Sequence, residues 1–338
     1  MQAFHYERAG TVADAAKLGK LTGAGDVHAP TQFLAGGATL VDLMKLNVMT
    51  PARVIDINAL REQNAGISID DHGLTLGAFA SMNAVAGHPQ VKARYPVIAD
   101  SLTLAASQQI RNMATLGGNL LQRTRCTYFR DVTWTACNKR APGSGCSALQ
   151  GFNRNHAILG VDDSCIAQYP GDFAVALVAL DAQLTLVGPT GTRKLPLSQL
   201  HRTAAGEPHL ENTLKPGEVI TSILVPSGPW TARSTYVKVR DRESYEFAIA
   251  SAAVALDLDG DLVRAARIGL GGMAYKPWRA AAAEAALTGK PLTAENAEAA
   301  ATAALEGAVT HGHNDYKPEL ARRTLLRALF AARDQKRA

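Results

Sequence analysis

Four cysteines fall between positions 126 and 165, and the chain of 338 residues has no others. They are spaced Cys126-x10-Cys137-x8-Cys146-x18-Cys165. Four thiols so placed serve one of three chemistries. Two disulfides need an oxidising compartment. A zinc site built from four cysteines usually shows C-x2–4-C pairs, and this sequence has none. An iron–sulfur cluster also takes four thiolates, and irregular spacing suits it when a loop wraps the cluster. Four unrelated cysteines would be scattered along the chain. Between Leu120 and Gly171 stand Arg123, Arg125, Arg130, Lys139, Arg140 and Arg154, against Asp131, Asp162 and Asp163. Such cations offset the negative charge of a thiolate cluster. Gly143, Gly145 and Gly151 let the backbone turn tightly enough to offer N–H groups to sulfur. These neighbours favour the cluster, with disulfides and zinc left open. None of the nine histidines has a paired metal spacing, and His156 reads as a surface residue rather than a ligand.

A second kind of chemistry sits in two Gly-Gly turns. "FLAGGATLVDLMKL" puts Gly36 and Gly37 between a strand and a helix. Consecutive glycines let the backbone approach a ligand closely, and free N–H groups at the helix start suit an anion such as a pyrophosphate. No Lys-Ser/Thr pair follows, so this is not a P-loop, and it is not a full G-x-G-x-x-G. "ATLGGNLL" holds the second turn, flanked by Thr115 and Asn119. Two such turns predict a long diphosphate ligand gripped at two places. A plain tight turn at each is the competing reading.

The elements that must position these residues alternate. "TVADAAKLGKL" reads as a helix, "QFLAG" as a strand, "ATLVDLMKL" as a helix and "RVIDI" as a strand, giving a small α/β unit that ends near Leu60. "GISID" and "LTLGA" predict a hairpin around Asp71-His72-Gly73. Helical text runs from Ser81 to about Ser107. After the cysteine segment come a helix at "DFAVALVALDA" and strands at "QLTLVG" and "EVITSILVP". "SGPWTA" reads as a linker. Beyond it "STYVKVRDR", "FAIASAAVALDL" and "LVRAARIGLGGM" predict three antiparallel strands, followed by helices over Trp278–Thr288, Ala294–Gly307 and Glu319–Ala332. The fold class is α+β, divided into residues 1–226 and 231–335, with the cysteine segment inserted at about 120–171.

Composition sets the frame. Apolar residues make up 47% and charged residues 19%, enough for a sizeable core. The formal net charge of +5 is spread along the chain with few aromatics among the cations, which speaks against nucleic acid. No run approaches the roughly 20 apolar residues of a membrane span, so no membrane insertion is expected. "MQAFHYERAG" has early charges and no long apolar core, so no secretion signal is read there. The chain is expected to be made in the cytoplasm. A periplasmic location would come through export with a partner.

Taken in order, "FLAGGATLVDLMKL", "ATLGGNLL", "GDFAVALVALDA", "EVITSILVP" and "YVKVRDRESYEFAIASAAVAL" resemble the FAD-binding subunit of the xanthine dehydrogenase family of molybdenum hydroxylases. The likeness covers nearly the whole chain and includes a C-terminal domain like that of carbon monoxide dehydrogenase flavoprotein. The family has only a short loop between the Asn of its second glycine turn and the Asp that opens the next helix. Here Asn119 and Asp172 are separated by the cysteine segment. Its text, with "LLQRTRC", "CNKRAPGSGC" and "PGD", is similar to the flavin subunit of periplasmic aldehyde oxidoreductase, which carries a [4Fe-4S] cluster beside FAD.

The resemblance implies roles residue by residue. The backbone of Leu34, Ala35, Gly36, Gly37, Ala38, Thr39, Leu40 and Val41 would hold the FAD diphosphate. Thr115, Gly118 and Asn119 would bind from the second turn. Asp172 would take ribityl or ribose hydroxyls, Ile220 would pack on the flavin, and Lys238 would stand near its polar edge. Cys126, Cys137, Cys146 and Cys165 would ligate the [4Fe-4S] cluster. The family has Thr or Ser where Ala38 stands, so one side-chain contact is missing. No ferredoxin signature and no molybdopterin-binding text is present. The implied protein is therefore the middle subunit of a heterotrimer, with a large molybdopterin-binding subunit and a small [2Fe-2S] subunit. It would pass electrons through FAD to an external acceptor, and it has no catalytic side chain beyond the flavin. Two other readings differ in what they require. A free-standing oxidase of the vanillyl-alcohol oxidase type needs a larger substrate domain, and it often has a histidine set for covalent flavin attachment. An iron–sulfur protein that binds nucleic acid needs a basic face and no glycine turns.

Overall fold

The structure, a computed structural model, describes residues 1–23 and 25–335. The chain opens with β1 (His5–Arg8), α1 (Val12–Leu18), β2 (Thr31–Leu34), α2 (Leu40–Lys45) and β3 (Arg53–Asp56). The strands form a parallel sheet in the order β1-β3-β2. Thr11 caps α1 in a capping box with Asp14. Next come α3 (Arg61–Asn64), β4 (Ile67–Ile69) and β5 (Gly73–Gly77), the last two forming the expected hairpin.

The helical stretch after Ser81 is broken into α4 (Met82–Gly87), α5 (Pro89–Arg94) and α6 (Pro96–Thr103). Pro89 and Pro96 each stand in a first helical turn, where the missing N–H costs nothing and a preceding helix cannot continue. Two short helices follow, α7 (Gln108–Met113) and α8 (Leu116–Leu120). The cysteine segment is irregular apart from the single turn α9 (Thr127–Arg130) and isolated bridges Cys137–Cys146, Asp162–Cys165 and Leu159–Ala274. Then come α10 (Asp172–Ala179), β6 (Gln183–Gly188), β7 (Gly191–Pro196) and β8 (Val219–Pro226). With the hairpin these complete an antiparallel sheet ordered β4-β5-β8-β6-β7. β7, "GTRKLP", is a polar edge strand without apolar alternation, which is why its sequence carries no strand signal.

The C-terminal part contains β9 (Ser234–Val239), β10 (Ala250–Asp259), β11 (Leu262–Gly271) and β12 (Trp278–Arg279), an antiparallel sheet ordered β12-β11-β10-β9. α11 (Ala281–Leu287), α12 (Ala294–Ala303) and α13 (Lys317–Asp334) complete it. A helix is expected from Trp278, but Trp278 and Arg279 pair with Leu270 and Gly269, and the helix starts only at Ala281. Arg279 is held out of the helix by Val178 O, Asp181 and Glu284.

β10 explains the layering. Ala250, Ala252, Val254 and Leu256 belong to one core with α11, α12 and α13. Ala253 and Ala255 belong to the other, with α6 and α10. Side chains of a strand alternate between faces, so one strand serves two cores and both faces are covered. α10 is buried all round, which its uniformly apolar "FAVALVA" requires. Among the described residues no helix is long and apolar enough to cross a membrane.

Leu325, fully buried on α13, faces the β10 core. Leu325→Ala is expected to cost about 2–5 kcal/mol, read as an earlier midpoint in urea unfolding. A loss under about 0.5 kcal/mol would mean that α13 does not close this core.

Candidate functional site

The two glycine turns meet. A Cβ on Gly36 would lie 2.2 Å from Met113 O and 2.9 Å from Ala114 Cα. Only glycine lets the first turn touch the backbone that leads into the second. Gly37 has φ +75°, a left-handed conformation that other residues adopt at a cost. In the second turn Thr115 is the N-cap of α8, and its Oγ accepts from Gly118 N at 3.1 Å. Beside these turns opens a cavity of about 430 Å³, within the range of small-ligand sites. Asn119 lines it. Its Oδ1 is buried with no partner in the protein, while its Nδ2 lies 3.5 Å from Met82 Sδ. A buried acceptor without a donor is costly, and a ligand N–H or O–H supplies one.

Ala35, Gly36, Gly37, Ala38, Thr39, Leu40, Thr115, Gly118, Asn119, Asp172 and Ile220 all line this cavity. Leu34 and Val41 are not on its wall. Leu34 ends β2, where its carbonyl accepts from Ile57 N at 2.9 Å. Lys238 is also off the wall. Its ammonium lies 2.8 Å from Asp172 Oδ2 and donates to Leu104 O at 3.0 Å. Tyr236 donates to the other Asp172 oxygen at 2.8 Å. Burial raises the Asp172 carboxyl above its ordinary value, and Lys238 and Tyr236 work against that rise. Asp172 therefore faces the cavity with both oxygens already partnered from behind.

The inserted segment supplies part of the wall through Arg123, Arg125 and Lys139. Sequence reasoning counted these only as general cations. Each has a defined partner whose position depends on tertiary packing. Arg123 and Lys139 both donate to Glu211 at 2.7 Å, and Lys139 also donates to Tyr275 OH at 2.6 Å. All four side chains are largely buried. Although burial opposes it, Lys139 and Arg123 hold the Glu211 carboxyl below its ordinary value. Arg125 and Arg130 share Asp42 of α2, each at 3.0 Å, and Arg125 lies over the Phe247 ring. His201, also on the wall, donates Nε2–H to Leu120 O at 2.8 Å and meets Tyr169 edge to face. Burial lowers it to about 4, against the pull of the Leu120 bond.

The four cysteines lie outside the cavity wall but close to one another. Cys126 packs in one apolar group with Cys137, in a second with Cys165 and in a third with Cys146. A hydrogen bond from Cys165 lowers Cys146 to about 6 and raises Cys165, while burial pushes Cys126 up to about 12. All four are free thiols. Among the described residues no three His, Cys, Asp or Glu side chains gather as ligands of one metal ion. His156 is not a surface residue. It is buried, with Nε2 at 3.2 Å from Cys126 Sγ, because Lys317 of α13 reaches in to bond its carbonyl.

Residues 2–228 match the family described as the FAD binding domain in molybdopterin dehydrogenase. Residues 234–332 match the CO dehydrogenase flavoprotein C-terminal domain. The chain is similar to the aldehyde oxidoreductase FAD-binding subunit PaoB of Escherichia coli (strain K12). The two are 43% identical, over 99% of this chain and 100% of that one. It is 27% identical to the carbon monoxide dehydrogenase medium chain of Hydrogenophaga pseudoflava, over 97% of this chain and 96% of that one. A solved structure of carbon monoxide dehydrogenase from Hydrogenophaga pseudoflava, lacking the Mo-pyranopterin moiety, superposes with a TM-score of 0.73. It is 28% identical, over 98% of this chain and 97% of that chain.

Two tests follow from this geometry. Gly36→Ala drives a methyl group into a backbone carbonyl, so it is expected to cost about 1–3 kcal/mol and to lower ligand occupancy. Gly87→Ala, where nothing lies within 4 Å, is the neutral comparison. Equal behaviour of the two in thermal unfolding and ligand binding would contradict the close approach. The second test uses pH. The unfolded chain takes a proton on His201 near pH 6.5, and the folded chain takes it only near pH 4. Stability therefore falls as pH drops through that window. Replacing His201 with Gln is expected to flatten the slope by about one proton, measured by urea unfolding at several pH values.

Proposed function

The chain belongs to the family of FAD-binding medium subunits of the molybdenum hydroxylases, and we propose that it is the flavin subunit of a heterotrimeric aldehyde oxidoreductase. Its partners are a large molybdopterin-binding subunit and a small [2Fe-2S] subunit, and an external acceptor takes the electrons. Aldehyde as the substrate class is supported by the likeness to the aldehyde oxidoreductase subunit along the full length of both chains. The observation that carries the flavin site is the cavity walled by both glycine turns, with the unpartnered Asn119 Oδ1 in its side.

FAD would supply the electron-accepting and electron-donating group there. This chain's residues bind and orient it. Gly36 to Leu40 offer backbone to a diphosphate, joined by Gly118 and Asn119 from the second turn. Ile220 gives an apolar surface to a ring. Asp172, braced by Lys238 and Tyr236, offers its oxygens to ligand hydroxyls on the cavity side.

A [4Fe-4S] cluster is the second group in this reading. Each thiolate of such a cluster binds a different iron, so the thiols must surround a space instead of converging on a point. Cys126 sharing packing with each of the other three cysteines supports this arrangement. Buried Lys139, near Cys165, supplies positive charge.

The test is metal and flavin content of the purified chain. One FAD and about four irons per chain are expected. Cys137→Ser is expected to lose most of the iron and keep the flavin, because Cys137 lies outside the cavity wall. Iron unchanged in Cys137→Ser would contradict the four-cysteine assignment. A chain that never binds FAD would contradict the flavin reading.

A further inference from the structure

We propose that His156 donates its Nε2–H to the Cys126 sulfur and so raises the reduction potential of the cluster. This rests on the reading of the four cysteines as cluster ligands. His156 Nε2 lies 3.2 Å from Cys126 Sγ, hydrogen-bond distance for sulfur. A thiolate bonded to iron has no proton to give, so the donor in the pair must be the imidazole. The other ring nitrogen agrees. Nδ1 is buried and has no partner. A proton there would leave a buried donor unpaired and point the Nε2 lone pair at a thiolate. A proton on Nε2 makes one N–H···S bond and leaves only a weaker cost, an unpaired acceptor.

The ring is held in place from both parts of the chain. His156 N donates to Asn153 O at 2.9 Å. Its carbonyl accepts from Lys317 Nζ at 2.8 Å, and that ammonium also binds Gln168 Oε1 at 2.9 Å and Gly272 O at 2.7 Å. Asn153 is tied by its own Nδ2 to His311 O at 2.7 Å and Ala148 O at 3.1 Å. The Tyr128 ring packs on the imidazole at 6.1 Å between centroids. Lys317 and His311 come from the C-terminal part, so the fold that carries α13 also fixes the donor at the sulfur. A donor fixed before the cluster forms needs no rearrangement on reduction.

A cluster held by these thiolates would gain one negative charge on taking one electron from a reductant such as dithionite, with no bond formed or broken. A hydrogen bond to a ligand sulfur would stabilise that form more than the oxidised one. His156 keeps its proton throughout. It acts through Cys126 and is a positioning residue.

The experiment is a dithionite titration of the full chain at controlled potential, followed by the paramagnetic signal of the reduced cluster. Wild type, His156→Leu and His156→Gln are compared, with iron measured in each. His156→Leu is expected to hold iron like the wild type and to reduce only at a lower potential. The amide of His156→Gln is expected to restore part of the difference. A potential for His156→Leu equal to that of the wild type, with iron retained, overturns the proposal. So does loss of iron from both variants, which would make His156 a ligand or a structural strut. A wild-type chain that takes up no iron sinks the cluster reading itself, a result distinct from either.

Discussion

One close approach of backbone to backbone shapes the site. Gly36 lies where any Cβ would strike the carbonyl of Met113. That contact sets the parallel sheet with its helix α2 against the α7–α8 segment, and the cavity opens along the seam. Both sides then present polar backbone to the same space. The Thr115 cap and the left-handed Gly37 complete the two turns, and Asn119 adds its side chain to the wall. In the proposed flavin site, binding would rest on this seam more than on any single side chain, as suits a ligand held largely by main-chain groups.

The second dependence is electrostatic. Glu211 receives Arg123 and Lys139 from the inserted segment, and Lys139 also reaches Tyr275 in the C-terminal part. A buried carboxylate with two cations is tolerated only when every partner is in place. The insertion is therefore docked into the cavity wall instead of hanging from it. Arg125 and Arg130, sharing Asp42, repeat the device on the other side of the segment. The cysteines and the cavity thus become neighbours through ion pairs.

Much of this was legible in the sequence where local rules decide. The hairpin around Asp71-His72-Gly73, the apolar α10, three of the C-terminal strands and both glycine turns follow from periodicity and turn chemistry. What was missed depends on long-range packing. β1 and β7 are short or polar and gain their strand character from neighbours. Trp278 and Arg279 look helical until β11 pairs with them. His156 looks exposed because nothing near it in sequence shows that Lys317, far along the chain, will bury it. Lys238, which the resemblance sets near the flavin's polar edge, is paired with Asp172, a contact that no local pattern reveals. Arg123, Lys139 and Glu211 show no spacing that connects them, so no local pattern reveals their cluster.

The most direct test of the central claim is a crystal structure of the chain grown with FAD. The account predicts diphosphate density between Gly36–Leu40 and Thr115–Asn119, with Asn119 Oδ1 accepting a bond from the ligand. Flavin density elsewhere on the molecule, with Asn119 Oδ1 still unpartnered, would contradict it.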